Sequence, residues 1–280
     1  MRGRRRLAAL LAAPLALAPR PAAAWPAQIT GSLLRDAQRL VPRTLARLVG
    51  EREKELLEQA QRFPPELGQA LAVDLGAGRL QPATLLSLDG HARHAVEMLR
   101  NRRVGDGILH LGSVLRIPAD LSDPVLSAGP EGYPPGVVQE YYAFIQANLD
   151  KIPVVLDDPE ALKLERRDLG GYWQRILSRS REQSGVIRAE LFRGGRVVPH
   201  RAIDFRSPVF AVASLSYSRA VTAIAATWLA LWRESRGDLT RQPVPIFRTP
   251  FDPAVAGRPA PSSPGPPAPP SPASAEGPKP

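Results

Sequence analysis

The sequence predicts an all-α protein, a multi-helix single domain set between two segments of different character. Three observations carry this. Apolar residues recur at helical spacing through most of residues 25–245. Residues 1–24 have the parts of an export signal. The last thirty residues hold 11 prolines, too many for a packed core, so a disordered tail is expected over 246–280. From Thr30 onward, Leu33, Leu34, Ala37, Leu40 and Val41 share one helix face. Pro42 stands where a second helix can start, and Leu45, Leu48, Val49, Leu56 and Leu57 continue the apolar stripe. Further helices are expected over 65–74, 82–101, 105–117, 135–150, 169–182 and 207–236. Ser207 suits the N-cap of the last one and Pro208 its first turn. That helix contains the apolar run AVTAIAATWLALW, short of the ~20 residues needed to cross a bilayer, so it reads as a buried core helix. VIRAELFRGGRVVPHRAI can hold a short hairpin turning at Gly194-Gly195.

The N-terminus runs from MRGRRR through LAALLAAPLALA to PRPAAAW. A basic start, an apolar stretch and a small-residue end at Ala22-Ala23-Ala24 make a signal peptide over 1–24, with Trp25 as the first mature residue. Pro14 breaks the apolar stretch, which argues against a membrane anchor. The expected location is secreted or periplasmic, in a bacterial envelope, with no transmembrane segment after cleavage. The 280 residues include no cysteine, which excludes disulfides, a thiol nucleophile and cysteine-ligated metals. The formal charge is +10, but half of it sits in the export signal, so composition gives no strong nucleic-acid signal. Arginine outnumbers lysine 33 to 4. With the abundant Ala, Gly and Pro this fits a GC-rich coding bias and devalues any single arginine as a clue.

Chemistry-bearing motifs are few. No nucleotide-binding glycine loop, H-E-x-x-H or G-x-S-x-G occurs. The four histidines are His91, His94, His110 and His200. His91 and His94 follow Asp89-Gly90, which reads as a turn, and their spacing of three lets both share a helix face and permits two metal ligands; two surface or helix-end histidines are the plainer reading. His110 lies among apolar residues and reads as structural, and His200 has no evident partner.

The most informative stretch is LHLGSVLRIPADLSDPVLSAG, residues 109–129, followed by YPPGVVQEYYAFI, residues 133–145. Leu111-Gly112, position 116, Asp120, Pro124, position 126 and Tyr133-Pro134-x-Gly136 followed by positions 138 and 142 are spaced as in the zinc-dependent phospholipase C family and its relatives, the single-strand-specific zinc nucleases. The chain resembles a divergent member of that family. The resemblance implies an exported, all-helical phosphodiester hydrolase scaffold whose first mature residue, a tryptophan, binds zinc through its amine and carbonyl. The departures are as informative as the match. The family's histidine positions hold Arg116, Leu126 and Val138, and its glutamate position holds Tyr142. The early family histidine falls near Thr30 or Gly31 and is missing. What remains as potential metal ligands is Trp25 and Asp120, with Asp74 and His91 as weaker candidates.

A catalytic zinc needs three or four ligands and an open position, and clustered zinc needs more than this set supplies. Arg116 is a permanent cation that opposes a divalent ion and can pair with Asp120 at i,i+4. The residues therefore point to a degenerate site with no zinc and a binding or structural role. An active phosphodiesterase retaining a reduced zinc site, or using Arg116 as a phosphate clamp, is the alternative. A phospholipid or another phosphodiester is the ligand that the resemblance implies. An unrelated helical envelope protein is the third reading. The first two require Trp25, Asp120, Arg116, Val138 and Tyr142 to converge in space.

Overall fold

The computed structural model describes residues 25–128 and 132–239. The signal peptide expected at 1–24 and the Pro-rich tail expected over 246–280 lie outside these residues. Among the described residues nine α-helices and one two-stranded ribbon are present, as an all-α reading requires. The helices are α1 (Ala27–Gln38), α2 (Arg43–Gly50), α3 (Glu53–Gln61), α4 (Pro65–Ala77), α5 (Pro82–Arg100), α6 (Val104–Leu121), α7 (Val137–Ala147), α8 (Leu169–Leu191) and α9 (Pro208–Glu234). Short 3-10 turns at Pro159–Lys163, Arg166–Asp168 and His200–Ala202 join the later ones.

Several boundaries differ from expectation, each for a local reason. The stripe after Pro42 is two helices, because Arg52 leaves helical geometry (φ −128°) between α2 and α3. Asp89-Gly90 is not a turn but lies inside α5. The local cost of a helical glycine is only about 1 kcal/mol, and α5 is held by its buried face of Leu88, Ala92, Ala95, Val96 and Leu99. α6 runs through Pro118 to Leu121 rather than stopping at 117. Proline removes one helical N–H, yet the residues beyond it stay helical and are buried. α8 extends nine residues past its expected end at 182, then enters the hairpin Phe192–Arg193 and Arg196–Val197. Gly194 and Gly195 both take positive φ, 57° and 76°, which a two-residue hairpin turn of this hand demands.

α9 forms the centre. It packs against α1, α5, α6 and α8, and Ala213, Ala220, Ala223, Ala225, Ala226 and Ala230 are all buried along it. Its composition and length would allow it to cross a membrane, but 78% of its most apolar window is buried inside the fold. Ser207 caps it by accepting a bond from the Phe210 N–H at 3.3 Å. Two indoles fix its position: Trp228 Nε1 donates to Leu111 O (3.1 Å) on α6, and Trp173 Nε1 on α8 donates to Thr227 Oγ1 (3.3 Å). At the other end Tyr217 OH donates to the buried Asp36 carboxylate of α1 at 2.8 Å. Along the same helix, full burial of an aliphatic side chain such as Ile224 or Leu231 stabilises the fold by roughly 1.5–3 kcal/mol.

α6 is flanked by α3 and α5. The contact with α3 is closest at Gly112, where an added Cβ would stand 2.4 Å from Leu56 O and 2.7 Å from Leu56 Cα. A side chain there must push two backbones apart. Gly112→Ala is therefore expected to destabilise by about 1–3 kcal/mol. Gly90→Ala, inside α5 with nothing within 4 Å of its added Cβ, is expected to stabilise by about 0.5–1 kcal/mol. Urea denaturation of both variants checks the pair.

Candidate functional site

The last two turns of α6 present Arg116 and Asp120 on one face, beside the start of α1. Trp25, 4% exposed, donates its indole N–H to Ala119 O at 2.9 Å. Its own carbonyl accepts the Thr30 hydroxyl at 3.0 Å, tying it to α1. Its ring lies 6.3 Å from that of Tyr142 on α7. The expected convergence is thus present for Trp25, Arg116, Asp120 and Tyr142. Val138 sits one turn before Tyr142 on α7, partly buried against the core. Leu126 lines a cavity of ≈ 450 Å³ together with Arg116, Asp120 and Phe63. A second cavity, ≈ 300 Å³, is lined by Trp25, Thr30, Leu57, Ala60, Arg116 and Asp120. The ion pair stands in the wall of both.

The pair is bidentate. Arg116 Nε donates to Asp120 Oδ1 at 3.0 Å and Nη2 to Oδ2 at 2.9 Å. Nη1 reaches Ala60 O at 3.4 Å, and the guanidinium carbon lies 5.8 Å from the Phe63 ring centre. This fork geometry uses both carboxylate oxygens. Burial pushes the Asp120 carboxyl above its usual range, while the Arg116 charge and hydrogen bonds draw it back. Burial likewise opposes the Arg116 charge, but Asp120 holds its pKa above the ordinary arginine value.

Asp123 completes the site and was missed in the sequence, where it reads only as the residue before Pro124. It is fully buried. Its Oδ1 accepts the Val125 N–H at 2.9 Å and its Oδ2 the Tyr142 hydroxyl at 2.6 Å. Burial raises its pKa to about 7, against the pull of the Tyr142 and Val125 hydrogen bonds. Burial, reinforced by Asp123, also lifts Tyr142 well above the usual phenol range. Tyr142 is therefore a donor to an internal carboxylate.

The two weaker candidates do not join this group. Asp74, buried at the end of α4, accepts the Gln81 N–H at 2.7 Å and so braces the connection to α5. His91 lies with Nε2 3.0 Å from Ser113 Oγ, and its ring meets the Phe63 edge at 5.3 Å. Phe63 thus contacts both His91 and Arg116. As the side chains stand, no three His, Asp or Glu residues among the described residues are placed to hold a metal. The residues at positions 116, 120, 126, 138 and 142 do not fit the zinc that the resemblance implies, because a permanent cation holds both oxygens of the one carboxylate. His110 is half-buried beside His91, and His200, unpartnered in the sequence reading, pairs with Glu140 Oε2 at 2.7 Å. Glu140 accepts the His200 backbone N–H at 2.6 Å as well.

The sign of the pH dependence follows from Asp123. A carboxyl whose pKa is raised on folding stabilises the protein while protonated, and that stabilisation is lost as pH rises from about 4 through 7. Asp123→Asn keeps an acceptor for Tyr142 and removes the titration. Its stability, measured by urea denaturation between pH 4 and 8, is expected to fall less with rising pH than that of the parent chain. An unchanged slope would remove Asp123 as the source.

No family model, no curated protein and no solved structure matches this chain.

Proposed function

We propose that this chain is an exported binding protein on a phospholipase C-like helical scaffold, in which an internal ion pair has replaced the metal cluster. The bidentate Arg116–Asp120 pair beside a buried Trp25 carries the reading. The resemblance would put Trp25 and positions 116 and 120 in one metal site. The side chains now present satisfy one another instead. A ligand would enter the two cavities flanking the pair, whose walls include Leu57, Ala60, Ala119, Phe63, Leu75 and Leu126 around one guanidinium. That lining suits a molecule with an apolar body and an anionic head, seated by packing and by the outer edge of Arg116.

The alternative, a phosphodiesterase with a reduced zinc site, needs Asp74, His91, Trp25 and Asp120 to act together. Hydrolysis of a chromogenic phosphodiester and of phosphatidylcholine vesicles, each with added Zn²⁺, separates the two. No turnover above that of Asp120→Asn is expected, and Asp120-dependent hydrolysis would overturn the proposal. A reconstruction tests the mapping itself. Combining Arg116→His, Val138→His and Tyr142→Glu is expected to create Zn²⁺ affinity at this site, read by calorimetry as binding lost on adding Asp120→Asn.

A further inference from the structure

Three of the four histidines in this chain gather at the α5–α6 interface, apart from the Arg116–Asp120 pair. His91 and His94 are one helical turn apart on α5, and His110 faces them from α6. The ring centres of His91 and His110 are 4.4 Å apart, and those of His94 and His110 are 5.1 Å apart. A metal held ~2.1 Å from each ring nitrogen in tetrahedral geometry sets imidazole centres about 5 Å apart. The His91–His110 and His94–His110 separations are thus close to that of rings sharing one ion.

The hydrogen bonds define which nitrogens are free. His110 Nε2 lies 2.9 Å from His91 O. A carbonyl only accepts, so Nε2 carries the proton and Nδ1 keeps its lone pair. His91 Nε2 is 3.0 Å from the Ser113 hydroxyl, which can accept from it, and this leaves His91 Nδ1. His94 Nδ1 is 3.5 Å from Glu97 Oε2, which leaves its Nε2. Metal-binding histidines are oriented in this way, with the second ring nitrogen donating to a carbonyl, hydroxyl or carboxylate.

We infer that His91, His94 and His110 form a binding site for one divalent transition-metal ion of the zinc type, with His91 Nδ1, His110 Nδ1 and His94 Nε2 as ligands. As they stand the three side chains are not placed to hold a metal, so the site requires His94, whose side chain is 52% exposed, to turn its ring toward the other two. Access is from the surface: His91 lines an open cavity of ≈ 490 Å³ with Glu66, Thr84 and Ser87. Glu97 and Glu66 supply negative charge on this side. Arg116, on the other side of Phe63 from His91, is paired with Asp120. Water fills the remaining coordination position. Three neutral nitrogens favour zinc, copper and nickel ions over magnesium or calcium.

The test is titration of the chelator-treated full chain with Zn²⁺, followed by calorimetry. One ion per chain is expected. His94→Ala, which removes an exposed side chain, is expected to weaken binding by about tenfold or more, with the helical circular dichroism unchanged. Asp120→Asn is expected to leave it unaltered. A second readout uses Cu²⁺: nitrogen couplings in its electron paramagnetic resonance spectrum should report three imidazoles in the parent chain and two in His94→Ala. Absence of Zn²⁺ binding, or equal binding by parent and His94→Ala, overturns the site. Binding lost in Asp120→Asn but kept in His94→Ala overturns it too, and also overturns the proposed function by returning the metal to the ion pair.

Discussion

The close approach of α3 to α6 at Gly112 is the constraint on which the rest of this structure depends. Only a residue without a Cβ lets the Leu56 backbone come so near. α6 in turn organises the remaining elements. Its Leu111 carbonyl holds Trp228 of α9, and its Ala119 carbonyl holds Trp25. Arg116 reaches from it to the carbonyl of Ala60 on α3. A wider α3–α6 spacing would separate that carbonyl from the guanidinium and open the smaller cavity, whose wall includes Leu57 and Ala60 of α3.

The polar interior follows from the same helix. Asp120 and Asp123 are buried three residues apart and meet different fates. Asp120 faces a guanidinium that offsets its charge through two short bonds. Asp123 faces only a phenol and a backbone N–H, so burial dominates and its pKa rises to about 7. Tyr142 ties Asp123 to α7, and its ring also meets Trp25. A buried pair broken on one side commonly costs about 3–5 kcal/mol. That penalty, more than any net gain from forming the pair, explains why such an arrangement is fixed once established.

The histidines show how far local reading reaches. His91 and His94 at i,i+3 share a helix, and periodicity sufficed to place them there. That His110 stands across from them depends on the pairing of α5 with α6. The resemblance makes His91 a weaker candidate for a zinc ligand with Asp120, but Phe63 and Ser113 give it other neighbours. His200 and Glu140 are 60 residues apart and meet because the segment after the hairpin folds back on α7.

By itself the sequence determined the helical class, the hairpin at Gly194-Gly195, the cap at Ser207 and the i,i+4 pairing of Arg116 with Asp120. Each depends on residues within a few positions of one another, where backbone geometry leaves little choice. The grouping of Trp25, Arg116, Asp120 and Tyr142 came from the resemblance of residues 109–145 to the phospholipase C motif rather than from local geometry. The continuation of α6 through Pro118, the helical state of Asp89-Gly90 and the long α8 were decided by tertiary packing, which outweighs local costs of about a kilocalorie per mole for a glycine. The burial of Asp123, the bracing role of Asp74 and the meeting of three imidazoles were likewise settled only there. Burial and partner identity are properties of contacts between distant segments, and no short stretch of sequence contains them.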